Sequence, residues 1–329
     1  MTITNEVVLA VDVGSSWCKA AYFDGSGNAV STGETWVRDR QPFGHDAEAL
    51  ERVWQGVVGA VREANAGLGD RQTVALGIAA RKAPGIWLDE AGAVVGLPAG
   101  VAASIGRQPI RACYASSVWG DDDPFAYGYG IDLIGNTRWL RDNRPQHFAR
   151  VCRAGNLHSW LVYRLTGQWA TSHAGGPVQQ RWPEAVRELS GLSPDAYPAV
   201  FDDSQVIGTI APEPAGELGL PETTRVITGT HDGAAANIGA GALGPGDACL
   251  TYGTNGVMRV VTGERIPGRF GYTVTSGRWA LVRDLPNLAP LLDGVVSATI
   301  NHTGPVTPDT HRELTKMAAE YRPVRMGPP

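Results

Sequence analysis

Apolar residues run almost unbroken from Val7 to Val13, interrupted only by Asp12, and resume from Ala20 to Phe23 after the polar turn Gly14-Ser15-Ser16. Runs of this length bounded by turn residues predict a strand, a tight turn and a returning strand, with a third strand over Ala29 to Val37. From Asp46 to Ala66 the period changes. Leu50, Val53, Trp54, Val57, Val58 and Val61 recur at helical spacing and predict one amphipathic helix. Val74 to Ala79 reads as another buried strand, and "IWLDEAGAVVGL" as a hairpin.

The middle of the chain is more helical. Helices are predicted over Ile131 to Asn143, ending at Arg144-Pro145, over Gln146 to Arg153, and over Leu157 to Leu165, ending at Thr166-Gly167; "RWPEAVRELSGL" predicts another, stopped by Gly191. Strands return at Arg225 to Thr228 and at Ala248 to Tyr252, leading into Gly253-Thr254. No short-period repeat is present, but the strand and turn pattern of residues 7–23 has a counterpart at 225–262, which suggests two related halves. Alternating strands and helices indicate an α/β protein.

Composition narrows the partners more than the fold. The 329 residues are enough for about two domains. With 43% hydrophobic and 19% charged residues and a net charge of -5, the chain suits a small-molecule ligand better than nucleic acid or an anionic membrane. Cys18, Cys113, Cys152 and Cys249 have no paired spacing, so neither a zinc site nor a disulfide framework is expected and a reducing cytoplasm fits. The N-terminus lacks a basic start followed by an apolar core, and no apolar run approaches bilayer length, so neither export nor a membrane partner is expected.

Three places carry candidate chemistry, each a strand delivering a polar or glycine-rich turn. In "AVDVGSSWCKAAYFD", Asp12 ends the strand and Gly14, Ser15, Ser16 and Lys19 follow. Such a turn offers N–H groups, hydroxyls and a cation to phosphate while the carboxylate suits hydrated magnesium; the same residues also suit a plain hairpin with a solvated lysine. In "TGTHDGAAANIGAG", Asp232 stands between a strand and a small-residue segment, where it serves either as a turn and helix cap or as a functional carboxylate. His231 beside it either orients Asp232 or caps the turn, the latter being favoured. In "CLTYGTNGVMRV", Gly253 and Gly256 permit close backbone approach and Thr254 supplies a hydroxyl. The ten Trp are scattered, and Trp139, Trp160 and Trp182 suit core positions.

Taken in order, "VDVGSSWCK" and "GTHDGAAANIGAGALGPGDACLTYGTNGV" resemble the two phosphate motifs of the FGGY carbohydrate kinases, and "RWLRDNRPQHFARV" and "WLVYRLTGQWAT" resemble the intervening helices. The resemblance runs from residue 7 to roughly 262. It implies the α/β actin-like, ribonuclease-H-like ATPase fold and ATP-dependent phosphorylation of a sugar, polyol or cyclitol hydroxyl. It further implies that Asp12 helps hold Mg2+, that Gly14, Ser15, Ser16 and Lys19 meet the ATP phosphates, that Asp232 is the general base, and that Gly253 and Thr254 bind phosphate from the facing domain.

The chain departs from the family at its acceptor positions. The substrate-binding turn reads "AARKAPGIW", with Arg81 and Lys82, which suit either an anionic or unusual polyol or a solvated or salt-bridged surface. A Trp and an Asp of the family are replaced by Ala102 and Ser104; another Asp corresponds to His158 or Ser159, and a third to Ser172. No "GGG"-type adenosine loop follows residue 262. The expected organisation is therefore a complete first domain, residues 1–241, and a partial second one, residues 242–329. One half of a split kinase with a complementary C-terminal subunit, a non-catalytic relative that binds carbohydrate or a protein, and a gene fragment all remain open. Apolar surface left by a partial domain would favour that subunit or a homodimer.

Overall fold

The computed structural model describes residues 5–37, 47–81, 84–96, 130–174, 176, 182, 184–251 and 256–285. Strands β1 (Glu6–Val13), β2 (Trp17–Phe23) and β3 (Ala29–Trp36) form an antiparallel meander, as the apolar runs and the Gly14-Ser15-Ser16 turn predict. Helix α1 (Ala47–Ala66) follows, then β4 (Gln72–Ala80), which lies parallel to β1. The sheet closes through β9 (Val206–Thr209) and β10 (Arg225–His231), giving six strands in the order β3-β2-β1-β4-β10-β9. The parallel strands β1, β4 and β10 are central, and the antiparallel ones lie outside them.

Strict alternation in β1 sets the two faces of this sheet. Val7, Leu9, Val11 and Val13 point into the main core with Cys18, Ala20 and Tyr22 of β2, and α1 covers them with the predicted stripe Leu50, Val53, Trp54, Val57, Val58 and Val61. Helix α4 (Leu157–Thr166) adds Trp160, Leu161 and Leu165 to the same core. The opposite face carries Val8, Ala10 and Asp12, all exposed; Val8, at 40%, is apolar and still not buried. A run that reads as continuously buried is thus half-open, because small side chains on that face line a groove.

Between β4 and α4 the chain builds a second core around Trp87, Leu133, Ile134, Trp139, Leu140 and Trp182. It rests on helices α2 (Gly130–Asn143), α3 (Pro145–Phe148) and α5 (Ala185–Ser190), the last ending at Gly191 in the left-handed region as predicted. One local expectation fails here and another holds. The helix expected over Gln146 to Arg153 stops at Phe148, and Arg153–Asn156 becomes β6. That strand pairs antiparallel with one edge of β5 (Pro84–Leu88), and the expected hairpin forms on the other, with Asp89 N–H donating to the Ala93 carbonyl, Val95 N–H to the Trp87 carbonyl and a bridge from Leu88 to Val94. Long-range backbone pairing outcompetes the weak local helix signal.

The short strands β7 (Ala170–Ser172) and β8 (Ala199–Phe201) pair in parallel, and helix α6 (Pro212–Leu218) packs on α1; none of these is marked by periodicity. After β10 come helix α7 (Asp232–Gly239) and strands β11 (Ala248–Thr251), β12 (Gly256–Thr262), β13 (Gly271–Thr275) and β14 (Arg278–Leu285). The expectation that residues 225–262 repeat the opening pattern needs correction. β10 is a central strand of the first sheet, and α7 separates it from the strands that follow. The chain divides into two compact units, Met1–Asp247 with Val260–Leu281, and Ala248–Arg259 with Val282–Pro329. Among the described residues no helix is long and apolar enough to cross a membrane.

Candidate active site

The C-terminal ends of β1, β4 and β10 lie side by side. Asp12 is level with Ala79, and Ala79 with Thr230; Val13, Ala80 and His231 form the next rank. Asp12 and Thr230 therefore stand two strand spacings apart, roughly 10 Å, with Asp232 one peptide beyond His231 as the first residue of α7. Ala79, Gly77 and Ala10 keep the floor between the carboxylates low. The result is an open groove of about 520 Å3 whose walls include Asp12, Lys19, Thr230 and Asp232.

Lys19 faces Asp12 across the β1–β2 ladder in direct register, and both side chains are exposed to the groove side. Surrounding protein mass pushes the Asp12 carboxyl above its ordinary range, the Asp232 carboxylate raises it further, and Lys19 pulls it back. The two acids thus feel one another across β4. The turn beyond is tied down by Gly14 N–H donating to the Trp17 carbonyl at 3.0 Å and Val37 N–H donating to the Ser16 carbonyl at 2.8 Å, while Ser15 and Ser16 are exposed. Cys18, beneath the turn, has its thiol pushed up to about 12 by burial first and by Asp12 second.

Arg81 is only 8% exposed, and its Nε donates to the Gly14 carbonyl at 3.2 Å while its backbone N–H donates to Val13 at 2.9 Å. The residue read as an acceptor contact or a surface cation is thus packed behind the Ser15-Ser16 turn. Lys82, Gly253 and Thr254 lie outside the described residues, as do Ala102 and Ser104.

His231 caps the turn, the reading the sequence favours. Its Nδ1 accepts from Gly233 N–H at 3.0 Å, capping α7, and its Nε2 lies 2.8 Å from Asp232 Oδ1. Asp232 Oδ1 also accepts from Gly233 N–H at 2.7 Å. The imidazole is almost fully enclosed at 9% exposure, whereas the Asp232 side chain is 43% exposed.

Behind the groove lie polar residues that the sequence did not flag as a group. Gly229, at φ 73°, forms a bulge that shifts the β10 register between Ile227 and Thr230. Gly229 N–H donates to the Asp203 carbonyl at 2.9 Å, and the Thr230 hydroxyl donates to Asp203 Oδ2 at 2.9 Å. His158 is buried, with Nε2–H donating to the Thr228 carbonyl at 2.7 Å and Nδ1 3.3 Å from the Thr171 hydroxyl. Ser159 belongs to the capping box of α4 with Asn156. The two candidates for the replaced family carboxylate are therefore a strand clamp and a helix cap.

These buried groups predict a pH dependence of stability. Burial lowers His158 from its ordinary 6.5 to about 4, so it contributes fully above pH 6.5 and its contribution is lost as pH falls towards 4. Burial raises Asp203 from 3.8 to about 7, so its contribution is present below 3.8 and lost as pH rises through 7. The slopes oppose one another between those limits. Asp203→Asn should remove the second, so the variant's melting midpoint should drop more steeply than the wild type's from pH 6.5 to 4.5; parallel curves in a thermal-shift series would contradict this.

A six-stranded sheet with three central parallel strands, antiparallel flanks and carboxylates at the strand ends defines the actin-like, ribonuclease-H-like ATPase fold. Residues 134–239 match the FGGY family of carbohydrate kinases, N-terminal domain. The gluconokinase of Bacillus subtilis (strain 168) is 28% identical over 207 residues, 58% of this chain and 40% of that protein. The glycerol kinase of Deinococcus radiodurans is 28% identical over 309 residues, 84% of this chain and 58% of that protein. The chain thus spans roughly half, or less, of the length of these curated relatives. Among solved structures, the xylulose kinase of Rhodospirillum rubrum superposes with a TM-score of 0.75 at 17% identity, covering 96% of this chain and 68% of that one. Residues 134–239, about a third of the chain, thus match the N-terminal domain of the FGGY carbohydrate kinases, and the chain shares the fold of these kinases.

Proposed function

We propose that the groove between β1 and α7 binds the phosphates of Mg-ATP and that the protein transfers the γ-phosphoryl group to a hydroxyl of a sugar, polyol or cyclitol, with Asp232 as general base. The observation that carries this reading is the placement of Asp12, Lys19 and Asp232 on one groove at the ends of adjacent strands. The names of the relatives, xylulose kinase, gluconokinase and glycerol kinase, support the acceptor class.

The donor set suits magnesium. Asp12 and Asp232 repel one another, so a divalent ion near Asp12 would relieve the strain. No cluster of three His, Cys, Asp or Glu occurs among the described residues, which fits an ion that keeps several waters and phosphate oxygens and takes only one or two carboxylates. Mg-ATP supplies the electrophilic phosphorus with its charge partly neutralised. Lys19 adds a positive charge beside the phosphates, and Ser15, Ser16 and the Gly14 backbone offer donors in a turn that Arg81 braces from behind. Asp232, on the groove wall, takes the proton from the acceptor hydroxyl as it attacks. Phosphoryl transfer needs little more from a protein than such positioning and charge compensation.

The same reading assigns residues 1–241 to the first kinase domain and 242–329 to part of the second, where Gly253 and Thr254 would meet phosphate, and assigns Lys82 to the acceptor side, while Arg81, first read as an acceptor contact, supports the phosphate turn instead. A cytoplasmic location fits Cys18, Cys152 and Cys249, all free thiols. Calorimetric titration of the whole chain with Mg-ATP tests the nucleotide site. Saturable binding is expected, and Lys19→Ala should weaken it about 10-fold, the loss of one charge-assisted contact, without changing the melting midpoint because Lys19 is exposed. Equal affinities would remove Lys19 from the site.

A further inference from the structure

We infer that Asp203 is a positioning residue for Asp232, acting through Thr230, so that the base stands on a strand end clamped from outside the sheet. Strand β10 loses its regular neighbours before it reaches the site. Its ladder with β9 ends at Ile227, opposite Val206. On the other side, the Gly229 bulge sets three steps of β10, Ile227 to Thr230, against two of β4, Gly77 to Ala79, so the ladder is locally disrupted. The turn that enters β9 takes its place. Thr228 N–H and the Thr228 hydroxyl both donate to the Gln205 carbonyl, at 2.9 and 3.0 Å, and Gly229 N–H donates to the Asp203 carbonyl at 2.9 Å. The last bond of the series is between side chains: the Thr230 hydroxyl donates to Asp203 Oδ2 at 2.9 Å, two residues before the base.

Stability alone does not account for this carboxylate. Burial pushes the Asp203 carboxyl up to about 7, so its charged form costs folding free energy above that pH, and a neutral residue there would remove the cost. Nor does Asp203 meet a ligand in the groove, whose walls include Thr230 but not Asp203. What the carboxylate supplies is a strong acceptor at a fixed place for one hydroxyl, which anchors the residue that leads into His231 and Asp232. The anchor matters because displacing a reacting group by about 1 Å can cost about 100-fold in rate.

The kinetic part of this inference rests on the kinase reading above. Thr230→Val and Asp203→Leu each leave one partner without the other, whereas the double variant replaces both with apolar groups of similar shape, a change that costs little stability. The double variant should therefore melt close to the wild type while kcat falls up to about 100-fold with KM for ATP unchanged. Asp203→Leu alone, which leaves the groove wall untouched, should show the same loss of kcat, and Asp203→Asn, whose amide oxygen still accepts from Thr230, should retain most of it. If the double variant keeps kcat, or if kcat simply follows melting across the variants, the positioning role is wrong. A second readout needs no turnover. Amide hydrogen exchange in the full chain should quicken over residues 228–233 in the double variant but not in Asp203→Asn, with α1 and β1 unchanged in both. Unaltered exchange over 228–233, or exchange quickened throughout the sheet, would overturn the clamp even in a protein that phosphorylates nothing; the expected exchange with no turnover by the wild type would uphold the clamp and dismiss the kinase reading.

Discussion

Asp232→Asn should reduce kcat by about 10^2 to 10^4, the usual contribution of a positioned general base, and leave the protein folded. The structural cost is small because Asn keeps an oxygen where Asp232 Oδ1 accepts from Gly233 N–H. What it loses is the ability to take a proton. Burial does not complicate the comparison, since the side chain is 43% exposed. Steady-state kinetics beside a melting curve would separate the effects: intact melting with lost turnover is expected, and full turnover would remove Asp232 from the chemistry.

Gly229→Ala should have the largest effect on stability. Gly229 adopts φ 73°, in the left-handed region where a side chain is strained. A Cβ there would also overlap the backbone of Ile78 in the neighbouring strand β4, which has no freedom to withdraw from the middle of a sheet. Two named mechanisms acting at once place the loss at about 4 kcal/mol or more, which for a chain of this size lowers the melting midpoint by about 10 °C. Because this bulge sets the register of Thr230, His231 and Asp232, any protein that does fold should also lose activity. Gly216→Ala is the control: it lies in α6, nothing stands within 4 Å of the added carbon, and helix propensity favours Ala. Equal melting of the two variants would show that the bulge is not under the constraint described.

The contrast between these residues explains what could be read from the sequence. Asp12, Lys19 and Asp232 were legible because each directly follows or begins a strong local signal, an apolar strand closed by a polar turn. Helix α1 was equally legible from its 3.6-residue stripe. Gly229 was not, since nothing local distinguishes a glycine in a bulged strand from one in a turn; its meaning lies in Ile78, 151 positions earlier in the chain. The partnership of β5 with β6 was hidden for the same reason, as neither strand alternates and the two are far apart in sequence. His158 carried a chemical signal, a histidine in place of an acid, but its bond to the Thr228 carbonyl depends on how α4 crosses β10. His231 lay between two readings because a histidine before an acid at a strand end suits either, and only the geometry shows the ring capping α7 through Nδ1.

The central claim is that one groove holds nucleotide phosphates, an acceptor hydroxyl and the base. Its most direct test is acceptor-dependent release of ADP from Mg-ATP by the purified full chain, run over a panel of sugars, polyols, sugar acids and cyclitols. At least one acceptor should stimulate release well above the rate with water, and Asp232→Asn should abolish that stimulation. Release that no acceptor stimulates, or stimulation that survives in Asp232→Asn, would contradict the assignment of this groove as a carbohydrate kinase site.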